Sequence, residues 1–247
     1  MHIHPPHKSG SNIKEHLLHF FMLFMAVLLG AFAENLREKY IENNKEHEYL
    51  ISLMEDISQD TSRLNYCINA RIEKSNEASK LIEILSNDKI ENTKDVYFYS
   101  RLMTKVESFE GVDGTFNQLS FSGGFTVIRN REIIKEINEY LFLRKSVYSL
   151  NKTEEDILIQ FRIATSKILN SYIFSKMLDV EKNKNYKYFI KPLERNEKLI
   201  SYDKSDINNF IYWISSENGN QTSNMNQMKS LKNKGVKLIN LIKSEIE

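Results

Sequence analysis

Proline occurs three times in this chain and glycine eight times in 247 residues. A turn-rich β-sandwich or barrel needs far more of both, so that class is excluded. Plentiful Lys, Glu, Ile, Leu and Asn point instead to long helices. Cysteine occurs once, at Cys67, which excludes an intramolecular disulfide framework. That fits a cytoplasmic domain, and equally a periplasmic one that uses no disulfides. Neither charge is in excess: 34 Lys and Arg face 33 Asp and Glu. With basic residues spread among acids there is no field to draw nucleic acid. Catalytic signatures are missing too. There is no G-x-S-x-G, no H-E-x-x-H, no Walker-type or dinucleotide glycine pattern, and no Glu-x-x-His pair of the di-iron bundles. The S-x-x-K string at Ser86–Lys89 lacks the companions that would give it meaning.

What the chain does have is one long apolar run. From Leu17 to Ala33 only His19 is strongly polar. At about 1.5 Å per residue the run spans roughly 26 Å, the short end of a bilayer crossing. Three fates are open to it: an uncleaved anchor, a cleaved export signal, or the buried part of a soluble helix. Ala31-Phe32-Ala33 is an A-x-A triplet of the kind signal peptidases cut. Against cleavage, no loop-forming residue follows and the helical pattern runs straight on. The anchor is the reading adopted. Lys8 and Lys14 before the run nearly balance Arg37, Lys39 and Lys45 after it, so the positive-inside count barely orients the chain. A short tail stays inside more easily than a large domain, which favours an inner-membrane protein with its main domain in the periplasm.

Beyond the anchor a series advances by threes and fours: Leu36, Tyr40, Asn43, His47, Leu50, Met54, Ile57, Thr61, Leu64, Ile68, Arg71, Ser75, Ala78, Ile82 and Leu85. No Pro or Gly interrupts it, so the series predicts one very long helix with a heptad-like, coiled-coil-type seam. Asn43, His47, Thr61, Arg71 and Ser75 make that seam imperfect, so parts of it are expected to pack within the domain. Asn92 or Thr93 caps a second helix, and Asp113 or Thr115 a short one carrying Phe116 and Leu119. Further helices are expected from about Asn130 to Leu150 and from Thr153 to Leu178. A short helix capped by Ser205 should end at Asn218-Gly219, and a last one should run from Thr222 to Ile246. "NYKYFIKPLE" is the one segment that reads as extended. The domain reading is a disordered His-rich tail over 1–12, a transmembrane helix over 13–35 and a helical bundle over 36–247.

The N-terminal "MHIH", the anchor "FFMLFMAVLLGAFAENLRE", "EHEYLISLMEDISQDTSRL", the central "GTFNQLSFSGGFTVIRNREIIKEINEY" and the ending "KLINLIKSEIE" together resemble an uncharacterised family of membrane-anchored proteins found in Bacteroidota. The resemblance spreads over most of the chain. It implies an anchor followed by a helical domain, and it supplies no catalytic residues.

Four features could carry chemistry. His2, His4, His7, His16 and His19 could hold Zn, Ni or Cu, but no Cys or carboxylate cluster stands beside them. Asp56 and Asp60 lie four apart on one helix face with no second Asp-rich motif, and read as a solvated face rather than a Mg site. Cys67 reads as an inert, partly buried thiol. "SFSGGFTVIRN" could cradle an anion on backbone amides beside Arg129 and Arg131. Its plainer reading is a turn that packs Phe121 and Phe125 into the core. Phe121, Gly123, Gly124, Phe125, Arg129 and Arg131 form the candidate ligand or partner site.

The sequence therefore predicts an all-α protein: a transmembrane helix continuing into a long helix that packs in an elongated bundle. The function expected is a non-enzymatic interaction or scaffold module in contact with membrane lipid. Its partner is expected to be a second copy or another membrane protein, with no cofactor and no nucleic acid. The alternatives are a periplasmic ligand-binding sensor acting through a partner, and a cryptic metal-dependent enzyme using Asp56, Asp60 and the N-terminal histidines.

Overall fold

The computed structural model describes residues 13–104, 107–121, 123–178 and 190–247. Among these residues six α-helices follow one another: α1 (Ile13–Leu85), α2 (Thr93–Met103), α3 (Gly114–Phe121), α4 (Arg131–Ile168), α5 (Ser171–Lys176) and α6 (Lys204–Ile246). A single 3-10 turn, Gly124–Thr126, separates α3 from α4. The protein is all-α, and the one extended pairing among the described residues is the isolated bridge Leu178–Ile190. The tail over 1–12, the Lys105-Val106 step, Ser122 and the first half of the "NYKYFIKPLE" segment lie outside the described residues.

Three long helices carry the architecture. α1 and α4 run in the same direction and α6 returns between them, packing along both. Its antiparallel course shows in its contacts: Lys74 of α1 meets Glu217 early in α6, while Asn65 meets Lys232 later. The buried positions of α1 are Leu50, Leu53, Ile57, Asp60, Leu64, Cys67, Arg71, Lys74, Ala78, Leu81 and Leu85, with Ile68 beside Cys67. They step alternately by three and four. Those of α6 do the same through Ile207, Phe210, Ile214, Glu217, Gln221, Asn224, Met228, Leu231, Gly235, Leu238 and Ile242. A seven-residue repeat keeps one stripe of each helix facing the others. On α1 this stripe is rotated slightly from the expected seam. Met54, Thr61, Ser75 and Ile82 are half-buried flanks, and their neighbours Leu53, Asp60, Lys74 and Leu81 are buried. Both series share Leu50, Ile57, Leu64, Arg71, Ala78 and Leu85, so spacing alone could not separate them.

The apolar side chains form two cores stacked along the bundle. The lower core joins Leu50, Leu53, Ile57 and Leu64 of α1 to Ile133, Ile137, Tyr140 and Val147 of α4 and Met228, Leu231, Leu238 and Ile242 of α6, with Phe116 and Leu119 of α3. The upper core joins Ala78, Leu81 and Leu85 to Val96 and Tyr97 of α2, Phe161 and Ile168 of α4, and Phe210 and Ile214 of α6. Each fully buried aliphatic or aromatic side chain contributes about 1.5–3 kcal/mol from the area it removes from water.

Two expected breaks do not occur. The helices expected over 130–150 and 153–178 are one helix, α4, as far as Ile168. The stretch Asn151-Lys152-Thr153 looks like a cap, but Asn151 donates its side-chain amide to Phe109 O and accepts from Asn224 instead of ending the helix. The chain breaks instead at Leu169, and Asn170 caps α5 by accepting from the amides of Tyr172 and Ile173. The two expected C-terminal helices are likewise one. Asp203, not Ser205, caps it, and Ser205 donates its own amide to that cap. Gly219 lies inside the helix because the apolar positions buried on either side of it, Phe210 and Ile214 before and Met228 and Leu231 after, outweigh the ~1 kcal/mol that an interior glycine costs. The cap expected at Asn130 is present, accepting from Glu132 N and Ile133 N.

Before Glu42 α1 stands free of the bundle, while Glu42, Glu46 and Tyr49 still meet it. Ile13 to Glu38 is exposed throughout, and Leu36, Tyr40, Asn43 and His47 of the expected seam are exposed. This part of α1 contains the single helix long and apolar enough to cross a membrane among the described residues. Its most apolar window has a mean hydropathy of 2.0 and none of it is buried. About 25 Å of helix separates Ala33 from Leu50, at roughly 1.5 Å per residue.

Candidate functional site

The glycine-rich segment sits at the lower end of the bundle, beside the free stretch of α1. Gly123 adopts φ 70°, a left-handed conformation that a side chain would strain, and it opens the 3-10 turn. The amides of Thr126 and Val127 close that turn onto Gly123 O and Gly124 O. Phe125 packs against the lower core. Phe121 does not: it is 88% exposed, correcting the expectation that it is core. The short α3 turns its other face, Phe116 and Leu119, inward, and Phe121 at its last turn is left outside. Arg129 points to α1, where Glu46 accepts its backbone amide at 2.6 Å and Glu42 and Glu46 lie 3.9 and 3.8 Å from its guanidinium. Arg131 opens α4, exposed, in a shallow depression with Ile134, Lys135, Asn138, Glu139 and Phe142. The structure thus brings Arg129 to α1 rather than to the turn amides.

Asp56 and Asp60 are not a solvated face. Asp60 is 1% exposed. Its carboxylate accepts from Tyr140 Oη at 2.6 Å and from the amide of Val112 at 2.7 Å, and it lies 3.6 Å from Arg144 Nη1. Asp56 accepts from the amide of Thr115 at 3.0 Å, and so caps α3 from another helix. Arg144 donates to Val112 O at 3.1 Å and to the Asp113 carboxylate, and stacks over Phe116. Tyr148 Oη accepts from the amide of Gly111. Further along, Arg63 and Cys67 reach Ser108 O, and Asn151 reaches Phe109 O. Residues 107–113 are therefore a strap laid between α1 and α4. An irregular segment lodged between helices has no ladder to satisfy it, so its peptide groups must find side chains. Gly111 is needed there because a Cβ would stand 2.9 Å from Arg144 Nη1 and 3.1 Å from Asp60 Oδ2. Burial raises the Asp60 carboxyl, opposed by Tyr140, Val112 and Arg144, and raises the Tyr148 hydroxyl above its ordinary value and the Tyr140 hydroxyl well above it.

Between the two cores lies a layer of charge that spacing alone did not reveal. Arg71 donates to Glu154 at 2.8 Å, to Gln221 at 2.5 Å and to Glu107 O at 3.3 Å. Lys74 donates to Glu217 at 2.7 Å and stands 3.8 Å from Glu154. The Gln221 amide donates to Glu154 and, at 2.8 Å, to Glu217. Both carboxylates have no solvent exposure at all, and Arg71 and Lys74 have less than 5%. Two cations face two anions, which is what makes burial tolerable. Even so, Arg71 Nε, Glu217 Oε2, Asn220 Nδ2 and Asn224 Oδ1 have no hydrogen-bond partner among the described residues. The one trace of this layer in the sequence was Arg71 standing where a seam wants an aliphatic residue.

Among the described residues no group of three or more His, Cys, Asp or Glu could hold a metal. His16 and His19 lie on the exposed start of α1, and His2, His4 and His7 fall outside the described residues. Cys67 is fully buried in the lower core, and burial raises its thiol above the ordinary range. Compared with known protein families, characterised proteins and solved structures, the chain gives no match.

Proposed function

We propose that this chain is a single-pass, membrane-anchored helical scaffold: α1 crosses the inner membrane and holds the bundle on the periplasmic side as an interaction module. One observation carries the reading. The apolar stretch of α1 is wholly unburied, yet it belongs to the same helix whose upper part forms a third of the bundle. Left in water it would be a large exposed apolar surface; in lipid it is satisfied, with every interior backbone group already bonded within the helix. The anchor and the bundle therefore move as one rod, with Glu34 to Glu38 marking its exit from the bilayer.

The charge arrangement supports a partner of protein character. The chain as a whole has no excess of basic residues, and the charges buried between the cores are paired within the bundle. The lower end, where Phe121, Gly123, Arg129 and Arg131 are exposed while Gly124 and Phe125 support the turn from within, faces the bilayer side of the rod and is the surface assigned to a membrane partner or a second copy. In this reading the chain sits beside the anchored Bacteroidota proteins that its central signature resembles, and performs no catalysis of its own. Alkaline extraction of membranes from cells expressing the full chain tests the anchor: the chain stays in the pellet. Release into the supernatant overturns it. A C-terminal reporter active only after export tests the orientation, and cytoplasmic activity would reverse it.

A further inference from the structure

The strict seven-residue repeat of buried positions in α1 and α6 has a physical consequence. Sliding α6 by seven residues, about 10 Å at ~1.5 Å per residue, returns most of its apolar stripe to apolar neighbours. Hydrophobic burial is non-directional and separates such registers poorly. Polar positions separate them sharply. Displaced one way, α6 would set Met228 against Arg71 and Asn224 against Lys74, and would bury the Glu217 carboxylate beside Leu81. Displaced the other way, Ile214 and Phe210 would face the two cations, and Glu217 would lie beside Cys67. Either slip leaves a buried charge without its partner, which is the costly case.

We propose that the ionic layer of Arg71, Lys74, Glu154, Glu217 and Gln221 is the register key of the bundle, fixing α6 axially against α1 and α4. Two observations carry this. The layer links all three long helices through side chains that are each more than nine-tenths buried. It is also a costly place for charge: among the described residues Arg71 Nε and Glu217 Oε2 have no hydrogen-bond partner, and an apolar layer would carry no such desolvation cost. Gly235 sits at a close approach of α1, α4 and α6, where Thr61, Ile57 and Tyr140 stand 3.0–3.2 Å from a would-be Cβ and would have to yield slightly to the Met228 or Ile242 of a slipped register.

The test is thiol cross-linking in the full chain with Cys67→Ser as background. Asn65 and Lys232 touch at 2.8 Å and report the native register; N65C with K232C is joined by a short bismaleimide. N65C with M225C, or with I239C, reports a slip of one heptad in either direction. With the key intact, the 65/232 product exceeds the others at least ten-fold. In the variant R71L, K74L, E154L, E217L and Q221L, the chain stays helical and the 225 or 239 products rise to the yield of the 232 product. The decisive variant moves the α6 half of the key by one heptad, with F210E, I214Q, E217F and Q221I, and the dominant product moves to 65/225. A leucine variant that still gives only 65/232 overturns the proposal. So does one that fails to fold, because the layer would then be required for folding rather than for choosing a register. A moved key that leaves the product at 232 overturns it as well.

Discussion

Removing the Glu154 carboxylate is the sharpest perturbation of the bundle interior. Glu154 has no solvent exposure and accepts from Arg71 at 2.8 Å and from Gln221, with Lys74 at 3.8 Å. In Glu154→Leu the Arg71 guanidinium keeps only Gln221 Oε1 and Glu107 O, and the layer carries two cations against one anion. Breaking a buried pair from one side costs about 3–5 kcal/mol. For a chain of this size each kcal/mol lowers Tm by about 2–4 °C, so the variant should melt roughly 6–20 °C lower. The double variant Arg71→Met, Glu154→Leu removes both charges and should recover most of that loss, since well-packed apolar replacements of buried pairs are often neutral or better. Thermal and urea unfolding of the full chain in detergent, followed by far-UV circular dichroism, measures both. A loss below about 1 kcal/mol for the single variant refutes the reasoning. So does a double variant as unstable as the single one.

The strap and the helix crossing give further tests. Gly111→Ala places a Cβ 2.9 Å from Arg144 Nη1 and 3.0 Å from its Cδ, and should cost about 1–3 kcal/mol in urea unfolding. Gly235→Leu forces the α1–α6 crossing apart and should cost at least as much by the same assay. Phe121→Ser, at an 88% exposed site, should change stability by no more than about 0.5 kcal/mol, whereas Phe116→Ala in the lower core should cost about 3–5 kcal/mol. The pH dependence has two opposite parts. Lys237 first, then Lys234, hold the Glu136 carboxyl below its ordinary value, so its stabilisation is present above about pH 4.3 and is lost as pH falls through the folded value. Burial raises the Asp60 carboxyl, so its contribution is fullest at low pH and declines as pH rises through that raised value. Glu136→Gln should flatten the acid limb of stability against pH, and Asp60→Asn the opposite limb.

The residues explain which parts of the fold were legible beforehand. The uninterrupted stretch after Ala33 correctly implied one helix through Leu85, because nothing in it can turn the chain. Asn130 was readable as a cap because its side chain serves its own helix. Asn151, Thr153, Asn218 and Gly219 misled for the converse reason. They have the residue types of helix ends, but the helix runs through them: Asn151 bonds to Phe109 O and Asn224, Asn218 accepts from Ser75, Thr153 bonds back to Ser149 O of its own helix, and exposed Gly219 is carried by its buried neighbours. The charge layer was invisible because its partners lie 83 and 150 residues apart, and a single charge in a heptad stripe looks like an imperfection until its partner is placed. Asp56 and Asp60 were legible as a pair on one face. What they grip, the strap over 107–113, has no pattern of its own that spacing could reveal.

The proposed anchor requires α1 to stay one helix from its apolar start to the bundle, and the Ala31-Phe32-Ala33 triplet is where that helix could be cut. The most direct measurement is the N-terminal sequence and intact mass of the mature chain recovered from membranes. Retention of the residues before Ala33, with the chain in the membrane fraction, is the predicted result. A mature chain beginning at Glu34 and found in the soluble fraction would contradict it.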